Sequence, residues 1–294
     1  MTVSLDHFTR PATTHRRRLG DHRVTYLPDG VALLDPRLWL PGSDDRIWAE
    51  HAHLINPDGY LVASIGALLI EYANRTMLID AGFGPLAAPT PYGLMRGGQL
   101  LTSLAATGKA PADIELIAIT HLHLDHIGWL WQTTPVTTTS PFADTPVLVG
   151  DTEWDHRDLT LTSGISPEML DTFTAQVNTI ADGEEIFPGV HALATPGHSR
   201  GHLAYDITSP GHRLIVFGDA MQTPLQITHP ELSAAVDDDP AESESTSRRL
   251  IDELTAPDTL GFGMHFSDVQ LGRVTTDTRG EQVWQPERPP FQQC

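Results

Sequence analysis

Cysteine is almost absent from this chain of 294 residues: there is one, and it is the last, Cys294. A single cysteine excludes an intramolecular disulfide and any zinc site built from several thiolates, so a bound metal would have to be held mainly by nitrogen and oxygen. Cations are scarce too. Eighteen Lys and Arg stand against 38 Asp and Glu, a formal net charge of -20, which disfavours a nucleic-acid substrate because binding a phosphate backbone draws on clustered cations. There is no repeat and no apolar run of bilayer-spanning length. Residues 1–20 carry a basic run, His15-Arg16-Arg17-Arg18, but no apolar signal-peptide core. A mobile N-terminal arm on a cytoplasmic protein is expected, with the basic run either a solvated tail or an anion or partner contact. The Pro-rich segment 285–294 reads as a surface tail.

Histidine, in contrast, is plentiful, at 15 residues. Most of these, such as His7, His15, His22, His156 and His212, read as solvated surface residues. The stretch Thr120-His121-Leu122-His123-Leu124-Asp125-His126 is different, with three imidazoles and one carboxylate in six consecutive residues. It follows an apolar run, 114–119, of the kind shown by a strand covered on both faces. In an extended segment His121 and His123 point the same way and can grip one ion. Asp125 and His126 open a helix expected over 125–131 and can face a second ion. Two such ions would lie roughly 3.5 to 4 Å apart and share a water or hydroxide. A chance cluster of this kind would strand several desolvated polar groups.

Further ligand candidates stand where other strands end. Segment 190–195 alternates like a strand and runs into Pro196-Gly197-His198-Ser199-Arg200-Gly201-His202. The run 214–217 ends in Gly218-Asp219-Ala220, and 260–264 ends in His265. Junctions of strand and loop are where α/β enzymes place their chemistry. Early strands are expected at 22–27, 31–34, 60–72 and 76–80. Helices are expected at 99–106, after Ser166-Pro167-Glu168, and after Asp239-Pro240-Ala241-Glu242 towards Leu254, the last two opened by a cap residue and Pro at the first helical position.

The order His121-x-His123-x-Asp125-His126, then His198, Asp219 and His265, resembles the metallo-β-lactamase superfamily in its dinuclear hydrolase form, and Leu78-Ile-Asp80-Ala-Gly82 resembles that superfamily's first motif. The resemblance implies an α/β (α+β) fold, a four-layer αββα sandwich of two mixed β-sheets flanked by helices, in a single domain over 21–284. It implies that His121, His123 and His198 bind one metal and Asp125, His126 and His265 the other, with Asp219 bridging. Asp80 and His202 would support the ligands from behind, and Asp125 or Asp219 would move the proton. The cofactor implied is two divalent ions, zinc first, with manganese, iron or cobalt compatible with the same donors. A homodimer is also implied by the likeness.

Within that superfamily, Asp219 stands where several β-lactamases place Cys. The extra basic elements of RNA-processing members, the glutathione-binding C-terminal region of glyoxalase-type thioesterases and the flavin domain of the oxidases are not visible. What remains resembles N-acyl-homoserine lactonases and the methyl-parathion-hydrolase-like enzymes. The expected function is therefore opening of a lactone or carboxylic ester by hydroxide, with a small-molecule substrate and neither nucleic acid nor membrane as partner. Phosphotriesterase-like or β-lactam hydrolysis, or a non-hydrolytic tailoring role in a biosynthetic pathway, are the alternatives. Where the smaller lactonases carry Tyr, three residues after the bridging Asp, this chain has Gln222, which can still donate a hydrogen bond. Phe83, Trp129, Gln222 and Phe266 are the expected substrate-pocket residues. For the aromatic ones, as for Trp131, Phe142 and Trp154, the competing assignment is the core.

Overall fold

In the computed structural model, which describes residues 4–160 and 164–287, the apolar stretch after Tyr60 forms a strand buried along nearly its whole length. It is the axis of the first of two sheets. The strands in chain order are β1 (His15–Leu19), β2 (His22–Leu34), β3 (Leu61–Tyr72), β4 (Arg75–Ile79), β5 (Ala87–Thr90), β6 (Gly93–Arg96), β7 (Leu116–Ala118), β8 (Val147–Gly150), β9 (Val177–Ile180), β10 (Glu185–Phe187), β11 (Val190–Ala194), β12 (Leu203–Ser209), β13 (His212–Val216), β14 (Thr259–Phe262), β15 (Leu271–Thr276) and β16 (Gln282–Pro286). Among the described residues one sheet has the order β5-β6-β2-β3-β4-β7-β8-β9, with β1 also paired to β2, and the other runs β10 to β16 in chain order. Both are mixed: β4, β7, β8 and β9 pair in parallel, as do β13 and β14, and the remaining pairs are antiparallel.

Side-chain alternation along the strands builds the layers. Leu68 and Ile70 of β3 face inward with Met77 and Ile79, against Tyr205, Ile207, Leu214, Val216 and Phe262 of the second sheet. Their neighbours Ala67 and Leu69 face the other way, onto Leu100, Leu104, Ile127, Leu130, Leu170 and Phe173 from helices. Ile215 and Phe217 likewise pack outward on Leu250, Ile251 and Leu254. The result is helix, sheet, sheet, helix, as the resemblance implied. The helix Pro240–Leu254 buries Ser243, Thr246, Ser247, Leu250, Ile251 and Leu254, the spacing of one helical face. Asp239 caps it, its carboxylate accepting from the Ala241 and Glu242 N–H groups. Among the described residues no helix is long and apolar enough to cross a membrane.

Several expectations need correction. Residues 22–27 and 31–34 form one strand, β2, whose pairing with β3 shifts between Pro28 and Gly30. The turn residues suggested an end to the strand, but long pairing with β3 carries it through, in the manner of a bulge. The expected mobile arm 1–20 is instead partly strand: β1 lies antiparallel on β2, from His15 opposite Tyr26 to Leu19 opposite His22. Its arginines are engaged, Arg16 with Thr25 and Arg17 with Glu287. His22, expected at the surface, is buried, with Nε2 2.7 Å from the Pro188 carbonyl. Of the expected tail, Gln285 and Pro286 close β16 on β15, whereas 288–294, including Cys294, lie outside the described residues.

The irregularity in β2 exposes a structural centre that the residue pattern did not announce. Asp29 is fully buried, and its carboxylate accepts from the N–H groups of Phe83 (2.7 Å), Gly84 (3.1 Å), Gly98 (3.0 Å) and Leu100 (2.8 Å) and from Trp129 Nε1 (2.9 Å). Asp29→Ala would leave five donors unpaired, four of them buried and that of Gly98 partly buried. The expected loss is about 3 kcal/mol or more, read as a lower denaturant midpoint in equilibrium unfolding; a change below about 1 kcal/mol would contradict this role.

Candidate metal centre

Five strand ends meet at one edge of the sandwich. β4 and β7 are parallel, as are β13 and β14, and β11 runs in the same direction as β13 because each is antiparallel to β12. The loops after them therefore open on the same side and carry Asp80, His121 to His126, His198, Asp219 and His265. The sheets are stitched together here: Leu203 N–H donates to Thr120 O (2.9 Å) and Tyr205 Oη to Ile119 O (2.7 Å). The loop after β4 is laced to the helix Leu124–Trp131 through Ala81 N–H to His126 O and Gly128 N–H to Gly82 O, both 2.7 Å. Only glycine fits at 128, since a Cβ there would stand 2.1 Å from the Phe83 carbonyl carbon.

Three groups of donors result, each with its ligand atoms within 4.8 Å: His121, His123 and His198; His121, His126 and Asp219; and Asp125, His126 and His265. His123 Nδ1 lies 2.9 Å from His121 Nε2 and 3.0 Å from His198 Nε2. The carboxylate of Asp219 faces both sides. Its Oδ1 is 3.0 Å from His265 Nε2 and 3.3 Å from His126 Nε2, and its Oδ2 is 3.1 Å from His265 Nε2 and 3.5 Å from His198 Nε2. Asp125 reaches the same region, with Oδ2 3.5 Å from His265 Nε2.

A second ring of acceptors sets which nitrogen of each imidazole is free. His126 Nδ1 donates to Asp80 Oδ2 (2.9 Å), His198 Nδ1 to Asp237 Oδ1 (2.7 Å) and His265 Nδ1 to Ser64 O (2.8 Å). Thr120 Oγ1 donates to Asp80 (3.0 Å) and so can accept from His121 Nδ1 (3.1 Å). All four rings thereby turn Nε2 towards the cluster, the arrangement that orients imidazole ligands on a metal. Asp80 achieves this from a left-handed backbone, φ 64°, a conformation that Asp tolerates better than most residues. His126 Nε2 and Asp219 Oδ1 are buried and make no hydrogen bond among the described residues. Lone pairs converging on one another, two of them orphaned and all on hard or borderline donors, fit a pair of divalent cations.

His202 is not one of the converging donors. Its Nε2 accepts from the Asp219 N–H (3.0 Å) and its Nδ1 lies 2.7 Å from Thr195 Oγ1. It fixes the backbone of Asp219 as a neutral ring, its pKa lowered to about 3 by burial and then by His198. Residue patterns also missed Asp237, visible only as part of an acidic run before a helix, and Glu153, which carried no signal. Glu153 Oε1 accepts from Leu122 N–H (2.8 Å), while Oε2 accepts from Ser199 Oγ (2.7 Å) and Gly201 N–H (3.1 Å), so one buried carboxylate joins the two loops that carry His121, His123 and His198.

The expected substrate-pocket aromatics lie elsewhere. Phe83 is closed into the core with Ile65 and Leu225, Trp129 packs behind the first sheet, and Phe266 is buried edge-on between Phe217 and Trp284. Chain proximity to a ligand did not bring these rings to the opening, because the backbone turns at each ligand and sends the next side chain inward. Gln222 does border the cluster, its Nε2 donating to Asp219 Oδ2 (3.0 Å).

Charge within the cluster is sharply divided. Burial, then the adjoining imidazoles, hold His121 and His123 well below the usual imidazole range. Burial also opposes charge on His126, His198 and His265, but carboxylates outweigh it and raise all three: Asp219 and Asp80 at His126, Asp237 and Asp219 at His198, and Asp219 at His265. Asp219 is held well below the usual carboxylate range, its burial outweighed by His265 and His126.

A model of the metallo-beta-lactamase superfamily matches residues 65–263 of the chain. An N-acyl homoserine lactonase of Bacillus thuringiensis is 30% identical over 177 residues, 53% of this chain and 64% of that protein; the chain thus spans less than two thirds of that relative's length. A mouse metallo-beta-lactamase domain-containing protein 1 is 26% identical over 238 residues, 79% of each chain. Among solved structures, AidC, a dizinc quorum-quenching lactonase, superposes with a TM-score of 0.80 over 94% of this chain and 98% of its own, at 20% identity. At that identity the likeness speaks to the fold alone.

Two outcomes are expected. Cation uptake displaces protons from the three raised rings, so zinc titrated into the metal-free protein should release more protons at about pH 6 than at about pH 9 and bind more weakly at the lower pH. Calorimetry in buffers of different ionisation heat measures this, and equal release at both would contradict it. Glu153→Gln, which puts an amide where two donors point at Oε2 or one at Oε1, should weaken metal binding by about 10- to 100-fold in a chelator competition assay. Unchanged affinity would show that the two loops hold their shape without it.

Proposed function

The chain belongs to the metallo-beta-lactamase superfamily, and from that membership we propose that it is a metal-dependent hydrolase that opens a lactone or carboxylic ester with hydroxide derived from water. The observation that carries this reading is Asp219, whose carboxylate lies within 3.5 Å of imidazoles from both groups, His126 and His265 on one side and His198 on the other. Two divalent ions, zinc by preference, would bring the pKa of water down towards about 7 and polarise a carbonyl oxygen. The holders are His121, His123 and His198 on one side, Asp125, His126 and His265 on the other, and Asp219 between.

The protein's own groups divide the remaining work. Asp125 has the most accessible carboxylate of the cluster, 14% exposed against 5% for Asp219, and is placed to return a proton to the departing alkoxide. Gln222 Nε2 can turn its N–H to the substrate oxygen. His202, Asp80 and Asp237 hold the ligands in place, so the centre needs no rearrangement as charge develops. No serine or cysteine nucleophile is called for. A net charge of -20 also favours neutral substrates over polyanions.

The test is turnover by metal-replete protein across lactones, aryl and alkyl carboxylic esters, phosphotriesters and β-lactams, with metal content measured in parallel. Lactones or carboxylic esters should be the preferred substrates, and Asp219→Ala should lose bound metal and more than about 10³-fold in kcat/KM. Preference for phosphotriesters or β-lactams would move the assignment to those substrates, and no turnover with both ions bound would remove hydrolysis altogether.

A further inference from the structure

Beside His265 and Gln222 lies a cleft of about 10 Å³, room for one water and little more. Leu34, Trp39, Leu54 and Leu61 form apolar walls, and Phe8 completes them. Phe8 comes from far away in the chain, on the single turn Leu5–Thr9 ahead of the first strand. That turn is pinned beside the cluster. Ser267 Oγ donates to Phe8 O (2.8 Å), Asp268 N–H donates to His7 O (3.0 Å), and the Asp268 carboxylate meets Arg10 at 2.7 Å and His7 at 2.8 Å. Ser267 and Asp268 follow His265 almost directly, so one loop carries a ligand and anchors the turn that narrows the cleft. The Phe8 ring is itself held edge-on against His53, with centroids 5.4 Å apart.

We infer that Phe8 is a specificity-determining residue: its ring walls the narrow cleft beside the metal centre and limits the length of the unbranched acyl chain that a substrate can bury there. This rests on the ester or lactone reading above. A carbonyl placed at the cluster has this cleft as an adjacent apolar wall, and each methylene that enters it should raise affinity about fourfold. Methylenes that meet the ring stay in water and add nothing.

Two measurements on metal-loaded protein separate the possible failures: kcat/KM for esters or lactones with acyl chains from butanoyl to decanoyl, and calorimetric dissociation constants for the corresponding straight-chain carboxylates. In the unsubstituted protein both series should level off at short chains. In Phe8→Ala they should continue to improve, by up to about fourfold per methylene, and in Phe8→Trp they should level off sooner, which keeps the idea testable should the alanine variant fold poorly. A carboxylate series that shifts in Phe8→Ala, in protein that hydrolyses none of the esters, would support the cleft while overturning the proposed reaction. Parallel profiles in the unsubstituted protein and both variants would overturn the role of Phe8.

Discussion

The structure depends on a single constraint: five imidazoles and two carboxylates bring their donor atoms together at one largely buried edge of the sandwich, and something must hold the rings there. The acceptors behind the imidazoles do so. Asp80, Asp237, the Ser64 carbonyl and the Thr120 hydroxyl each take the Nδ1–H of one ring, which leaves Nε2 pointing inward. Each of these bonds is individually modest. Together they turn a convergence of like donors into a cluster fit to hold cations.

The sandwich makes this convergence possible. The ligands come from both sheets, and strands parallel in direction release their loops at a common edge. Cross-sheet bonds from Leu203 to Thr120 and from Tyr205 to Ile119 fix the two halves of the site against each other. Glu153 and Asp29 serve a similar purpose one layer out, each binding donors from separate loops. A buried carboxylate that accepts several N–H bonds is well satisfied, so burial here stabilises and specifies the loops. The turn Leu5–Thr9 is attached to the same edge through Asp268, beside the donor cluster.

Much of this was legible in the order of residues, and for a physical reason. Metal ligands must be of few types and must leave a buried strand at its end, so His121, His123, Asp125, His126, His198, Asp219 and His265 were recognisable as candidates by type and position, and apolar periodicity marked most of the strands that carry them. The helix caps at Ser166 and Asp239 were equally local signals. The continuity of β2 through Pro28 and Gly30 was not, because pairing with β3 overrode turn chemistry that looked decisive locally.

What the sequence by itself determined is the candidate donor set, its sharing between strand ends, and the exclusion by a single cysteine of a metal site built from several thiolates, since these follow from side-chain type and short-range spacing. Only the tertiary structure decided which groups stand behind the ligands and which line the opening. Asp237, Glu153 and Asp29 look like any surface acid until the fold buries them, and Phe83, Trp129 and Phe266 look like pocket residues until the backbone turns them inward. Phe8 reaches the cleft from the turn Leu5–Thr9, far along the sequence from Gln222 and His265. Such placements arise from contacts between residues up to hundreds of positions apart, for which no local pattern of charge or hydropathy carries a signal.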